Sequence, residues 1–522
     1  MATRAVPTEA AFSFLRSTVA QRVALATAVV GGAAIRAGLL AAGISPLDAD
    51  QAVPGIMARR ILHGQDTYVF YAGQHYMGAF EQYLQALSLA VLPDNAFTLR
   101  LPELILSSAT TLLVYLVGVR ILGTPWRATL AAALYAIGPY FNLLFGIKSA
   151  GALAVGTFVG LLAVYIVLLL EPRSRWNLWL AAAFGLCCGF AFWEVWSMAF
   201  VLVPAAIWAV GSARGDLRRL APAAAVGFAI GALPVWLWAV KNGHIPTPLD
   251  APITEASTLF QRSDNLTDAM VPMLFGVKLT DGAPVAGWLP SSLVVWALVA
   301  AFGVGLWKRR LGLWALARGS RTRREPIDLL LLVFVALPVF WLASRFAFFA
   351  GEPRYLQPIA PMISIGLAAL VPRETRTAAI AVGATLLAAL ALVTGLAVNK
   401  VFALPDQVGG VAERCLPQVV SALQGKGVRS AYADYWVAYP LQWEADRKLT
   451  FAPTYASRFP DLTAQVDADP HAAYVAPVGP VADKIAAALK ARHAKATRSD
   501  TCSVALFTGF RHTPKPPELG LP

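Results

Sequence analysis

About eleven apolar runs, each close to twenty residues long, recur along this chain, and no other feature constrains its fold more. They are Gln21–Ile44, Leu101–Leu122, Ala128–Ile147, Ala150–Leu170, Trp176–Phe192, Val195–Val210, Leu220–Val240, Leu289–Trp307, Ile327–Phe349, Tyr355–Val371 and Thr377–Val398. A helix of about twenty apolar residues crosses the roughly 30 Å of hydrocarbon in a bilayer. It must be a helix, because lipid offers the backbone no hydrogen-bond partner. Composition agrees: 57% of the 522 residues are hydrophobic and 14% charged, where soluble domains carry about 25% charged residues to cover their cores. The pattern predicts a polytopic α-helical membrane protein. Met77–Leu92 is shorter and carries Glu81, Gln82 and Gln85, which predicts a juxtamembrane helix lying at the interface.

The formal charge of +13 does not point to nucleic acid, because the basic residues form short clusters between apolar runs instead of one basic domain. That is the pattern of the positive-inside rule. With the N-terminus inside, the cytoplasmic segments carry Arg4, Arg16 and Arg22, then Arg120 and Arg127, Arg173 and Arg175, Arg214, Arg218 and Arg219, the stretch "KRRLGLWALARGSRTRREP", and Arg373 with Arg376. The opposite connections are poor in Lys and Arg. Counting Met77–Leu92 as a span would invert everything after it and place the basic loops outside. The expected layout is a transmembrane unit over residues 1–398, with exterior segments at 44–100 and 241–288, followed by a small exterior α/β domain over 399–522.

The first apolar run ends in Gly-Ile-Ser-Pro, with no small-residue cleavage site, and is read as a retained span. In the tail, "VRSAYADYW", "KLTFAP" and "TCSVALFTGF" read as strands, and "GGVAERCLPQVVSALQGKG" and "PVADKIAAALKARHAKA" as amphipathic helices. Cys187 and Cys188 fall in an apolar run as packing residues, while Cys415 and Cys502 are both in the tail, where an exterior location permits a disulfide.

The stretch "SPLDADQAVPGIMARRILHGQ", Ser45 to Gln65, places Asp48 and Asp50 just beyond the first span. Val53, Ile56, Met57 and Ile61 recur at helical spacing, with Pro54 expected in the first turn. The plain reading makes Asp50 the N-cap and Asp48 a loop residue. The setting adds a second reading: carboxylates at the lip of a membrane cavity are candidates for proton transfer, able to accept the proton of an acceptor hydroxyl. Lys148 in "FGIKSAGA" and Arg354 in "AGEPRYLQP" are exterior cations at span ends that suit a leaving phosphate. The alternative is that they snorkel, or that Arg354 pairs with Glu352.

The stretch "DADQAVPGIMARRILHGQDTYVFYAGQHYMGAFEQYLQALSLAVLPDNAFTLRLPELI" resembles the first exterior loop of the C-type (GT-C) membrane glycosyltransferases. The likeness is to the bacterial branch related to protein O-mannosyltransferases and lipid A aminoarabinose transferases. "GALPVWLWAVKNG", "EPRYLQPIAPMISIGLAAL" and "YADYWVAYPLQWEADRKLTFAP" extend it over most of the chain. In that family an Asp-Glu pair follows the first span. Here Asp50 stands for the Asp and Gln51 replaces the Glu, so Asp48 would have to supply a second carboxylate. The resemblance implies inverting transfer of a sugar from a polyprenyl-phosphate donor to an exterior acceptor, in the bacterial inner membrane. Asp50 would be the base, Asp48 a supporting carboxylate or metal-side group, and Arg354 and Lys148 partners of the phosphate. Tyr71, Gln74, Tyr76 and Glu81 would line the sugar or acceptor pocket, with Glu194 in "AFWEVWSM" next. Some relatives use a divalent cation (Mg or Mn) and others none. The rival readings are a lipid or solute transporter or flippase, and a non-catalytic relative in a cell-envelope complex. A transporter would be expected to show two matching halves, and the sequence has no such symmetry.

Overall fold

The structure is a computed structural model describing residues 18–521 apart from 172–173, 214, 251–256, 280–281, 319–323, 352, 374 and 405–406. Arg4, Arg16, Arg173, Arg214 and Glu352 lie outside the described residues.

Each expected apolar run folds as a helix or a broken helix. Among the described residues, five helices are long and apolar enough to cross a membrane, or six if a bent pair counts as one span. In chain order, α1 is Val19–Ala41, α2 Ala49–Leu62, α3 Phe80–Val91, α4 Leu101–Leu122, α5 Pro125–Ile137 and α6 Leu153–Leu168. They are followed by α7 Asn177–Glu194, α8 Ala199–Ala213, α9 Leu217–Gly231, α10 Leu233–Asn242, α11 Trp288–Ala317, α12 Ile327–Ala343, α13 Ala360–Ala369 and α14 Arg376–Phe402. The bent pair is α9 and α10, at 61°. The run expected at Ala128–Ile147 breaks after Ile137, where Gly138 and Pro139 intervene and Pro139 has no N–H to continue the ladder. The run expected at Tyr355–Val371 opens as a 3₁₀ turn, Arg354–Ile359, which passes into α13.

Leu113, Phe141, Leu161, Val201, Leu330, Trp341, Leu356 and Met362 are among the buried side chains that join α4, α6, α8, α12 and α13 into the main core. Between α2 and α3, strands β1 (Phe70–Tyr71) and β2 (Gln74–Gly78) form a short antiparallel hairpin. α3 is amphipathic, as its sequence predicts, and its Glu81, Gln82 and Gln85 face inward and are fully buried.

Beyond α14, strands β3 (Gln407–Val408) and β4 (Val411–Ala412) pair with each other, and α15 (Leu416–Gly425) leads into a five-stranded sheet. Its strands are β5 (Ser430–Ala433), β6 (Thr450–Pro453), β7 (Ala473–Pro477), β8 (Thr497–Thr501) and β9 (Val504–Thr508), in the order β6-β5-β7-β9-β8. β5 runs parallel to β6 and β7, and β9 is antiparallel to β7 and β8. The helices α16 (Tyr435–Ala445), α17 (Pro460–Ala468) and α18 (Pro480–Ala491) complete this region. Side chains are buried on both sheet faces: Val419, Leu441, Phe451 and Val475 on one, and Tyr432, Tyr474, Ile485 and Phe507 on the other. The strand expected over "VRSAYADYW" stops at Ala433, because the Asp434 carboxylate accepts the N–H of Trp436 and starts α16. Cys415 and Cys502 form a disulfide, and Cys187 and Cys188 are free.

α16 packs on α2. Val53, Met57 and Leu89 share one buried cluster with Tyr439, Trp443 and Phe459. A methyl group on Gly55 would lie 2.6 Å from the Trp443 ring, so only glycine permits the approach. The sheet region therefore sits on the same end of the helical body as the Asp48/Asp50 loop.

Candidate active site

The site forms at the first turn of α2. Asp48, with extended backbone, is the N-cap, and its carboxylate accepts the N–H of Gln51 at 3.1 Å. This corrects the expected cap: Asp50 stands one residue inside the helix, free of capping, and its side chain turns to a cavity. Pro54 is correspondingly the sixth helical residue and not in the first turn. Its missing N–H leaves the carbonyl of Asp50 without the usual helical donor, and the Tyr71 hydroxyl donates to that carbonyl at 3.3 Å. Burial pushes the Tyr71 phenol well above its ordinary range, so it stays a donor.

Each Asp meets one of the expected cations. Arg354 donates to Asp50 Oδ2 at 3.0 Å, and Lys148 Nζ lies 2.9 Å from Asp48 Oδ2. Both pairs are partly buried, which makes them less screened than surface pairs. The cavity beside Asp50 has a volume of about 510 Å³. Asp50, Tyr71, Gln74, Tyr76 and Arg354 all line it, while Asp48 and Lys148 do not.

Glu81 and Glu194 do not reach the cavity. Glu194 accepts the N–H groups of Phe80 at 3.1 Å and Glu81 at 3.3 Å. It thereby caps α3, which has no capping side chain of its own. Gly78 makes this possible, since a Cβ there would sit 2.1 Å from Glu194 Oε2. Glu81 lies beside this cap, where burial, then the nearby Glu103 and Glu194, hold its carboxyl well above the usual range.

The structure adds residues that the sequence reading did not pick out. Arg345 lines the cavity with Arg354, and donates to the Leu249 carbonyl at 2.7 Å. Its signal was present, since it is a lone cation inside the apolar run Ile327–Phe349. Arg458 comes from the sheet region and donates to the Gly73 carbonyl at 3.2 Å and to the Tyr435 hydroxyl at 3.3 Å. With the Gln74 amide oxygen turned toward it, Arg458 also donates there at 2.8 Å, and Tyr76 donates to the same oxygen at 3.1 Å. No local pattern marks Arg458, which lies hundreds of residues from the loop it clamps.

A second cavity, about 770 Å³, runs along α7, α8 and α9 and is lined almost entirely by apolar side chains, among them Phe192, Val203, Ile207 and Phe228. Trp196 and Ala199 line both cavities, which therefore adjoin.

The family model described as dolichyl-phosphate-mannose-protein mannosyltransferase matches residues 79–238. Among solved structures, ArnT from Cupriavidus metallidurans bound to undecaprenyl phosphate superposes with a TM-score of 0.60 at 13% identity, covering 92% of this chain and 97% of that one. Its apo state gives a TM-score of 0.57 at 13% identity, with 90% and 94% covered. The Archaeoglobus fulgidus oligosaccharyltransferase in complex with Zn and sulfate gives 0.51 at 14% identity, with 95% and 74% covered. No curated protein matches the chain by sequence.

In fold, the chain is similar to ArnT and to the archaeal oligosaccharyltransferase over most of its length. The presence of Gln51 beside Asp50 has a local explanation. Gln51 is fully buried and its amide donates to Ser45 Oγ at 3.1 Å and to the Pro46 carbonyl at 2.8 Å. A carboxylate cannot donate either bond, so Gln51 holds the loop together and does not face the cavity. A divalent cation fits the residues poorly. Asp48 and Asp50 each hold a protein cation where an ion would sit, and among the described residues no three His, Cys, Asp or Glu side chains are grouped to bind a metal.

Proposed function

We propose that this chain is a bacterial inner-membrane glycosyltransferase that moves a sugar from a polyprenyl-phosphate donor to an acceptor outside the cytoplasm. The observation that carries the reading is the Asp50–Arg354 pair on the wall of a cavity that adjoins an apolar groove. Base, phosphate partner and lipid-tail path are then contiguous. The likeness to ArnT, whose structure holds undecaprenyl phosphate, supports the donor class.

In this scheme the lipid tail lies in the groove lined by α7, α8 and α9, and its phosphate meets Arg354 and Arg345. The Asp50 carboxylate accepts the proton of the acceptor hydroxyl as that oxygen attacks the anomeric carbon. The bond from anomeric carbon to phosphate oxygen breaks, the lipid phosphate leaves with the electron pair, and configuration inverts. Asp48 supports by capping α2 and fixing Lys148 nearby, while Tyr71, Gln74 and Tyr76 face the sugar or acceptor. The positive-inside pattern supports a cytoplasmic N-terminus with α2, α3 and residues 399–522 exterior.

The test is transfer from radiolabelled polyprenyl-phosphate sugars by the purified protein, wild type against Asp50→Asn and Asp48→Asn. Asp50→Asn is expected to lower kcat by about 100-fold or more, the scale of a lost general base, and Asp48→Asn by less. Transfer that survives both substitutions would sink the base assignment. Absence of turnover with any donor would favour a non-catalytic relative.

A further inference from the structure

We propose that Glu413, in the sheet region, is a positioning residue for the Asp48/Asp50 turn, held in place by the Cys415–Cys502 disulfide; this rests on the reading of Asp50 as base. The N–H of Leu47, immediately before the cap of α2, donates to Glu413 Oε1 at 3.1 Å across a sequence separation of 366. Leu47 is only 3% exposed, and a backbone N–H at so buried a residue calls for an acceptor. Glu413 supplies it from a 3₁₀ turn, Glu413–Cys415, whose last residue is the disulfide cysteine. The partner, Cys502, lies between β8 and β9 at the far edge of the sheet. The cross-link thus fastens the Glu413 turn to a folded sheet, two residues from the carboxylate that holds the catalytic loop.

The charges around the turn fit the same arrangement. Glu413, Asp48 and Asp50 bring three carboxylates to the start of α2, where the helix dipole favours negative charge. Lys148 pairs with Asp48 and Arg354 with Asp50. Arg100, 4% exposed at the start of α4, lies within electrostatic reach of both Glu413 and Asp48. A displaced Glu413 would free the Leu47 N–H and shift Arg100 toward Asp48, moving the base relative to the cavity. A displacement of about 1 Å at a reacting group can cost 100-fold in rate.

The experiment uses the full chain in detergent or nanodiscs as wild type, Glu413→Ala, Glu413→Gln and the double variant Cys415→Ser/Cys502→Ser. Amide exchange is followed over residues 44–52 and over β7 as the fold control, together with kcat and KM for a polyprenyl-phosphate sugar. Glu413→Ala is expected to speed exchange over 44–52 at least tenfold with β7 unchanged, and to lower kcat about 10-fold or more with KM nearly constant. Glu413→Gln, whose amide oxygen still accepts, should restore most of both, and the double serine variant should move both in the direction of Glu413→Ala. Unchanged exchange over 44–52 in Glu413→Ala, or equal loss of protection in β7, overturns the proposal. Faster local exchange in a chain whose wild type transfers no sugar upholds the positioning and overturns the transferase reading.

Discussion

In α2, Pro54 withholds the N–H that the Asp50 carbonyl would otherwise receive, and the Tyr71 hydroxyl takes its place at 3.3 Å. A helix-breaking residue is thereby converted into an anchor for the hairpin that carries Gln74 and Tyr76. Tyr71→Phe is expected to destabilise the protein by about 1–3 kcal/mol, the cost of a buried carbonyl left unpaired, measured by thermal unfolding, and to lower kcat. Gln51 makes the complementary point. Gln51→Glu would complete the Asp-Glu pair that the sequence resemblance leads one to expect, yet it would place a buried carboxylate against the Pro46 carbonyl, 2.8 Å from the present amide nitrogen. It is expected to lower stability by about 2 kcal/mol or more without raising transfer. A gain in transfer would show that the pair's second acid acts chemically.

At the scale of elements, α3 is held by groups outside itself. Glu194 caps it from α7, and Glu103 on α4 accepts from Gln85 at 2.5 Å. Burial, then Glu103 and Glu194, keep Glu81 protonated well above the usual glutamate range. The folded state therefore retains a proton that the unfolded chain releases above about pH 4.3. Stability from this group is full below that value and is lost as pH rises through the raised folded value. Thermal midpoints measured from pH 5 to 9 should accordingly fall more steeply in wild type than in Glu81→Gln, and parallel curves would refute the assignment. The same elements show why part of the site was illegible. The sequence marks Glu81 and Glu194 as costly acids, and the structure buries both, but an acid buried against another helix looks the same in a linear pattern as one lining a pocket.

For the whole molecule, the coupling of the sheet region to the helical body is the decisive feature. Arg59 stacks over Trp443 at 3.5 Å, donates to its carbonyl at 2.6 Å and pairs with Asp94 at 2.9 Å. Trp443→Ala is expected to cost about 3–5 kcal/mol, typical of a buried aromatic removed from a core, with α2 losing exchange protection together with α16. Unfolding in which α2 stays as protected as in wild type would show that the two regions are energetically separate.

The apolar runs alone determined the helical class, because about twenty residues without charge have few stable states other than a helix out of water. They also drew attention to Asp50 and Arg354, which the structure pairs, since polar residues at the ends of such runs are few and conspicuous. The tertiary structure decided that Asp48 and not Asp50 is the cap, that Glu194 serves α3 and not the cavity, and that Arg345 and Arg458 join the site. It also brought Glu413 to the start of α2. These outcomes depend on which helix faces which and on hydrogen bonds between residues far apart in the chain. Periodicity reports the buried face of an element but not the partner that covers it.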